Sequence, residues 1–181
     1  MTSGLFRTLA AVTLAVSLAA WAHGWTLEAW LDDRSLKKAG HDYVELTDDQ
    51  GRAHRSAVVP DGYFVLSRGQ VLGHCFLELD RGTIPGNAAA WEKRDWARKV
   101  QVYLEYYRSG LFQSRYKTRS CRILTVTTSQ ARLATLKGVT ERAGGRGRFW
   151  FTTMDHITPA SVLSKAIWAA AGSDNLHSLA W

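Results

Sequence analysis

The sequence has few cysteines, and they do not form a recognisable pattern. Cys75 and Cys121 lie in separate apolar runs, and the chain contains no Cys-x-x-Cys pair and no Cys/His cluster. This excludes a disulfide framework and argues against a structural zinc site. We therefore expect both cysteines to be buried, reduced thiols inside strands.

Several catalytic motifs are also missing. The sequence holds no Gly-x-x-x-x-Gly-Lys-Ser/Thr phosphate loop, no Gly-x-Gly-x-x-Gly and no Gly-x-Ser-x-Gly. The six histidines are scattered, with no His-x-His pair to hold a metal beside a catalytic tyrosine. Any chemistry that the chain performs must therefore come from other groups.

The overall composition is that of a packed, basic protein. The 181-residue length fits one domain, and 46% hydrophobic with 22% charged residues fits a globular core. The net charge of +7 favours a polyanionic partner such as DNA or an anionic membrane surface. Eight tryptophans indicate large apolar contacts.

The run from Leu5 to Ala22 is apolar, with Arg7 as its single charged residue. It fits a secretory signal that ends at Ala20-Trp21-Ala22, a short membrane span, or a helix buried against a sheet. A strand pattern follows it directly, and no disulfide framework supports export. These observations favour a helix over residues 1–24 that is buried against a sheet of a cytoplasmic protein, with no membrane partner.

Apolar alternation predicts the first half of a sheet. Strands are expected at Trp25–Leu31, Ser56–Leu66 and Val71–Leu79, and a short turn at residues 67–70 predicts that the last two pair antiparallel. The longest helical pattern is Ala88–Tyr107, which ends at a Ser-Gly pair.

The second half alternates strands with helices. The predicted elements are a strand at Arg122–Thr127, a helix at Gln130–Ala143, a strand at Arg148–Thr153 and a helix at Pro159–Ala170. This order favours parallel strands with helices on the faces of the sheet. The sequence thus predicts an α/β domain over residues 25–171, with a mixed sheet flanked by helices, and a loosely held tail over 172–181.

Three carboxylates stand out in this framework. Asp61 follows Pro60 at a bend, and Glu78 and Asp80 lie two apart in a strand, so they leave the same face. If the hairpin brings Asp61 to Glu78, the carboxylates repel unless a cation such as Mg²⁺ or Mn²⁺ lies between them. The alternative is an ordinary half-exposed strand with a turn at Pro60.

The long helix combines basic and aromatic residues. Basic side chains with aromatic side chains between them suit a phosphate backbone and stacked bases. We therefore expect DNA contacts from Lys93, Arg94, Arg98 and Tyr103. The alternative is that the aromatic positions form the core face of the helix, because the following residues recur at helical spacing: Trp96, Val100, Tyr103 and Tyr107.

Several segments, in this order, resemble replication-relaxation proteins. VVPDGYFVL, FLELDRGT and KVQVYLEYYRSG are similar to the family core, and GWTLEAWLDDRSL is similar to the strand before it. RILTVTTSQARLATL and the segment from Pro159 to Trp168 resemble its C-terminal part. The resemblance implies a role in replication and relaxation of bacterial plasmids and integrative elements, with DNA as partner and replication or mobilisation proteins as further partners.

The family core is similar to a restriction-endonuclease-like fold of the PD-(D/E)XK kind. In that fold the Asp after Pro and an acidic residue on the next strand hold Mg²⁺, and a nearby Lys helps to activate water. The resemblance thus implies Asp61 and Glu78 as metal ligands. Asp80 stands where the Lys is expected, so Lys99 on the following helix is the candidate to replace it in a catalytic set of Asp61, Glu78, Asp80 and Lys99.

Members of this family usually carry a winged-helix DNA-binding region upstream. The resemblance implies that this chain begins at about the helix that joins the two parts, so that Leu5 to Ala22 is a buried linker helix. The chain is then either a truncated copy or one with an upstream start, and we expect it to lack the region that reads DNA. Three hypotheses follow: a nuclease-like DNA-processing domain, active or degenerate; a non-catalytic module that binds DNA or a replication protein; and a small exported protein with a cleaved signal. Nothing in the sequence fixes the oligomeric state.

Overall fold

A computed structural model describes residues 3–48, 50–82 and 95–180, with the backbone alone for residues 3–6. The helices are α1 (Ser3–Ala22), α2 (Asp33–Lys38), α3 (Trp96–Arg108), α4 (Leu111–Tyr116) and α5 (Gln130–Arg142), with a 3₁₀ turn at Met154–His156. The strands are β1 (Thr26–Asp32), β2 (Tyr43–Thr47), β3 (Ala53–Ala57), β4 (Gly62–Arg68), β5 (Val71–Leu79), β6 (Arg122–Thr127), β7 (Phe149–Thr153), β8 (Trp168–Ala170) and β9 (Leu176–His177).

Seven strands form one mixed sheet in the order β1-β4-β5-β6-β7-β8-β9. Strands β1, β4 and β5 are antiparallel neighbours, β5, β6 and β7 are parallel, and β8 and β9 add antiparallel at the far edge. Strands β2 and β3 form a separate hairpin. The predicted α/β class with a mixed, helix-flanked sheet is confirmed, including the antiparallel pairing of β4 with β5.

The sheet buries both of its faces because successive side chains alternate between them. One face packs against α3, α4 and α5 through residues such as Val65, Phe76, Ile123 and Phe151. The opposite face packs against α1 through residues such as Phe64, Leu66, Leu77 and Leu124. The sheet is therefore the middle layer, with α3, α4 and α5 on one side and α1 on the other.

Helix α1 covers its face of the sheet with small and branched residues. The buried positions are Val12, Ala15, Val16, Ala19 and Ala20. The helix is thus part of the hydrophobic core, as the buried-helix interpretation predicts. Among the described residues, no helix has both the length and the apolarity that crossing a membrane requires.

Helices α3 and α5 both begin at a side-chain cap. Asp95 accepts a hydrogen bond from the Arg98 amide at 2.7 Å, and Ser129 accepts one from the Arg132 amide at 3.2 Å. Such caps satisfy amides that have no partner inside the helix. Helix α3 therefore begins at Trp96, and the predicted first residues of this helix, up to residue 94, lie outside the described part of the chain.

Two predicted elements differ from the structure. The strand expected over residues 56–66 is interrupted at Pro60, which has no amide hydrogen to donate to a sheet. The helix expected from Pro159 is wrong: residues 159–164 form turns, and β8 follows. Ser161 Oγ bonds the His156 carbonyl at 2.5 Å, and Trp168 is buried with its indole N–H on the Val162 carbonyl at 3.0 Å. These contacts stabilise a turn, after which β8 pairs with β7.

The C-terminal segment is also more ordered than expected for a loose tail. Strand β9 pairs with β8, and Leu179 is completely buried. The Arg122 guanidinium donates to the Leu179 carbonyl at 2.6 Å, and the Ala180 amide donates to Leu163 at 2.9 Å. Residues up to 180 therefore belong to the folded domain.

The turn between α5 and β7 offers a test of packing. A Cβ at Gly145 would lie 2.4 Å from Thr140 Cγ2 and 3.1 Å from the Phe149 ring, whereas one at Gly147 would meet nothing within 4 Å. We expect Gly145→Ala to lower the free energy of unfolding by about 1–3 kcal/mol, because overpacking forces its neighbours to move. Gly147→Ala is the matched control, with a change of about 0.5 kcal/mol or less. Equal effects in denaturant titrations would contradict this packing.

Candidate functional site

Polar side chains gather at the carboxyl ends of the parallel strands. Glu78 lies near the end of β5, Asp80 follows that strand, and Thr127 ends β6. Asp61 immediately precedes β4, which runs antiparallel to β5, so it lies at the same edge. In open α/β sheets, the carboxyl ends of the strands are where ligands bind. The topology therefore places these groups where a functional site is expected.

Glu78 is a deeply buried charged residue of this edge. It is 2% exposed, and its carboxylate accepts hydrogen bonds from the Lys99 ammonium and the Tyr103 hydroxyl. Lys99 and Tyr103 are four residues apart, so both leave the same face of α3. Burial raises the pKa of Glu78 to about 7, although Lys99 opposes the rise; the Asp61 charge adds to it.

Asp61 is hydrogen-bonded to β5, the strand that contains Glu78. Its amide donates to the Leu77 carbonyl at 3.0 Å, and its Oδ2 accepts from the Leu79 amide at 2.8 Å. These two bonds fix the bend after Pro60 against the end of β5. The structure thus brings Asp61, in the bend before β4, close to Glu78 of β5 and Lys99 of α3.

Asp80 takes part in a separate ion pair. Arg132 of α5 donates to both of its carboxylate oxygens, at 2.8 and 2.9 Å, and the Thr127 hydroxyl donates at 2.8 Å. Burial acts to raise the pKa of Asp80, but the bonds from Arg132 and Thr127 outweigh it and hold the pKa below its ordinary value. Asp80 therefore links β5 to α5 and does not join Asp61 and Glu78 in a three-carboxylate cluster.

Within the described ranges, no three His, Cys, Asp or Glu side chains lie close enough together to hold a metal ion. The expected convergence of three carboxylates is therefore replaced by one acidic pair and one bidentate Asp–Arg pair. Sequence reasoning did not identify Arg132 or Thr127. The available signal was their position, because Thr127 is the last residue of a strand that enters this edge and Arg132 lies in the first turn of the helix that follows.

The residues expected to contact DNA have different locations. Lys93 and Arg94 lie outside the described residues, and Arg98 lies partly exposed in the first turn of α3. Tyr103 is 1% exposed, with its hydroxyl on Glu78, so it cannot stack on a base. The interpretation of the aromatic positions as a core face is confirmed for Trp96, Val100 and Tyr103.

The geometry defines a mixed α/β domain with an acidic pair and a lysine at the carboxyl edge of its sheet. A sequence model of the replication-relaxation family matches residues 4–120. The chain belongs to the replication-relaxation family. The matched part runs from α1 through α4 and contains Asp61, Glu78 and Lys99, while the resemblance of the segments that begin at Arg122 and Pro159 lies outside it.

Neither the curated proteins nor the solved structures include a match to this chain.

The raised pKa of Glu78 predicts a pH-dependent stability. A folded-state pKa of about 7, above the ordinary 4.5, means that the folded protein holds this proton more tightly than the unfolded chain. The resulting stabilisation is complete below pH 4.5 and is lost as the pH rises through about 7. In metal-free buffer, the native protein should therefore lose about 2 kcal/mol or more of unfolding free energy over this range, relative to Glu78→Gln.

The control for this measurement is Glu45→Gln, which changes an exposed carboxylate on β2 by the same chemistry. It should keep the native dependence on pH in denaturant titrations. A native profile parallel to that of Glu78→Gln would show that Glu78 titrates normally in the folded protein.

Proposed function

We propose that this chain is a nuclease-like DNA-processing domain that serves the replication of plasmids or other mobile elements. Its family membership supports the replication role. The observation that carries the nuclease-like part is the meeting of Asp61 and Glu78 at one edge, with the Lys99 ammonium on Glu78. An Asp after Pro, an acid on the next strand and a nearby Lys form the set implied by the resemblance to PD-(D/E)XK proteins.

The residues present fit a hard divalent cation in their chemistry. Asp61 and Glu78 supply carboxylate oxygens, the ligands that Mg²⁺ and Mn²⁺ prefer. Thr125 lies in register with Glu78, and its buried hydroxyl has no hydrogen-bond partner among the described residues. An additional polar group near Glu78 would satisfy it.

In the structure, the Lys99 ammonium supplies the positive charge that a bound cation would otherwise supply to the acidic pair. Both oxygens of Glu78 accept hydrogen bonds from α3, so Lys99 must move off Glu78 before a cation can bind there. Asp61 and Glu78 would hold the cation, which would neutralise phosphate charge and lower the pKa of bound water. Lys99, displaced from the carboxylate, would contact the phosphate of the DNA backbone or the attacking water.

A second candidate is a non-catalytic module that binds DNA or a replication protein. The observation in its favour is Asp80, which occupies the position expected for the Lys and is held there by Arg132. The net charge of +7 would still attract DNA. In this case the Glu78–Lys99 pair would have only a structural role, which is to hold α3 in its position against β5.

The first experiment asks whether a divalent cation binds the folded protein. Millimolar Mg²⁺ or Mn²⁺ should raise the melting temperature of the native protein, because a ligand that binds only the folded state stabilises it. Glu78→Gln should remove most of this increase, since the amide keeps the shape and loses the charge. Glu45→Gln should retain it. A native melting temperature that does not respond to either metal would contradict the metal site and leave the second candidate.

The second experiment asks whether Lys99 takes part in cleavage. With supercoiled plasmid and Mn²⁺, the native protein should nick DNA, and Lys99→Met should lower the rate by about 100-fold or more. The same variant should keep the rise in melting temperature, because Lys99 competes with the cation and does not ligate it. Lys165→Met, at an exposed lysine, is the control. Cleavage that survives in Lys99→Met would contradict the assigned role.

A further inference from the structure

Helix α1 carries an apolar stripe on the side that faces away from the sheet. Leu14, Leu18 and Trp21 are 60%, 45% and 85% exposed, and apolar side chains that are exposed next to one another mark an interaction surface more often than single ones do. Ala10 and Ala11 are exposed beside them. At 100° per residue these positions lie within about 60° of Leu14 on the helix surface, so they form one continuous face.

The stripe has one charged residue, and its position is informative. Arg7 is exposed at the N-terminal end of the face and is the only charged residue of α1. Arg7, Leu14 and Trp21 are separated by seven residues each, which is two helical turns, so they lie nearly in line. A face with a single cation does not suit DNA, and an interfacial membrane helix ordinarily carries many Lys and Arg residues around its apolar face.

A second copy of the same helix complements this face. If two α1 helices cross antiparallel with the two-fold axis at Leu14, Leu14 meets its own copy and Leu18 meets Ala10. Arg7 then meets Trp21 in both halves, which places a guanidinium over an indole ring. A two-fold interface requires that each contact occurs twice: Arg7 of one copy contacts Trp21 of the other, and Trp21 of the first contacts Arg7 of the second.

We propose that the outer face of α1 is a self-association surface, through which two copies of this chain pair with their α1 helices antiparallel around Leu14. The facing alanines allow the two backbones to approach closely, with Leu18 packing between small residues. One helix pair is a small interface, so the association should be weak, in the micromolar range. The surface lies across the sheet from Glu78, so pairing leaves the candidate site accessible.

Sedimentation velocity of the full chain over a concentration series tests the proposal. The native protein should shift from monomer to dimer in the micromolar range. Leu14→Glu should raise the dissociation constant at least about tenfold, because it brings two carboxylates together at the two-fold axis. Leu176→Glu is the control, since Leu176 is 57% exposed on β9, at the opposite edge of the sheet from β1, and should leave association unchanged. Circular dichroism establishes that both variants are folded.

The register is tested separately by cross-linking. Leu14→Cys should form an intermolecular disulfide on mild oxidation, whereas Trp21→Cys should not, because the two copies of residue 21 lie about 20 Å apart. Native Cys75 and Cys121 are buried, so the native protein is the control for background cross-linking.

A native protein that stays monomeric at all concentrations would overturn the proposal, as would dimers that Leu14→Glu does not weaken. Binding to anionic phospholipid vesicles by the monomer, lost in Leu14→Glu, would show that the surface serves a membrane instead.

Discussion

A carboxylate buried between a sheet and a helix must be protonated or paired, because an isolated charge in such a place is too costly. Glu78 is in this position, and its two partners both come from α3. The pairing fixes which face of α3 meets the sheet and how far along β5 the helix lies. Trp96 and Val100 then enter the core from the same face, and the capped start of α3 places Lys99 at the strand ends.

The sheet and the acidic pair could be predicted because local patterns encode them. The turn after β4 and the alternation in β5 determine the hairpin, and the hairpin register brings Asp61 to the end of β5. The same alternation places Glu78 on the α3 face. Lys99 could be named as a candidate because it lies on the helix that follows these strands, but its contact with Glu78 depends on the angle at which α3 packs, which is a tertiary property.

Other features could not be read from the sequence for similar reasons. The partner of Asp80 is Arg132, which is far away in the chain and meets it only because β6 lies parallel to β5. The segment from Pro159 has helix-compatible spacing, but the exposed edge of β7 offers backbone hydrogen bonds that a strand can satisfy. Tyr103 satisfied both the core pattern and the DNA-contact pattern, and only its burial distinguishes them.

The connection between β5 and β6 has a consequence for how the domain assembles. Strands β1, β4 and β5 are antiparallel neighbours with a tight hairpin, whereas β6 joins β5 in parallel only after the chain has passed through α3 and α4. Contacts that close a long loop form later than local ones. We therefore expect the crossover to dock late in folding, and Glu78, Asp80 and their cationic partners to lose their water in that step. The charged residues that form the site would then also slow the last step of folding, because their charges must lose water in it.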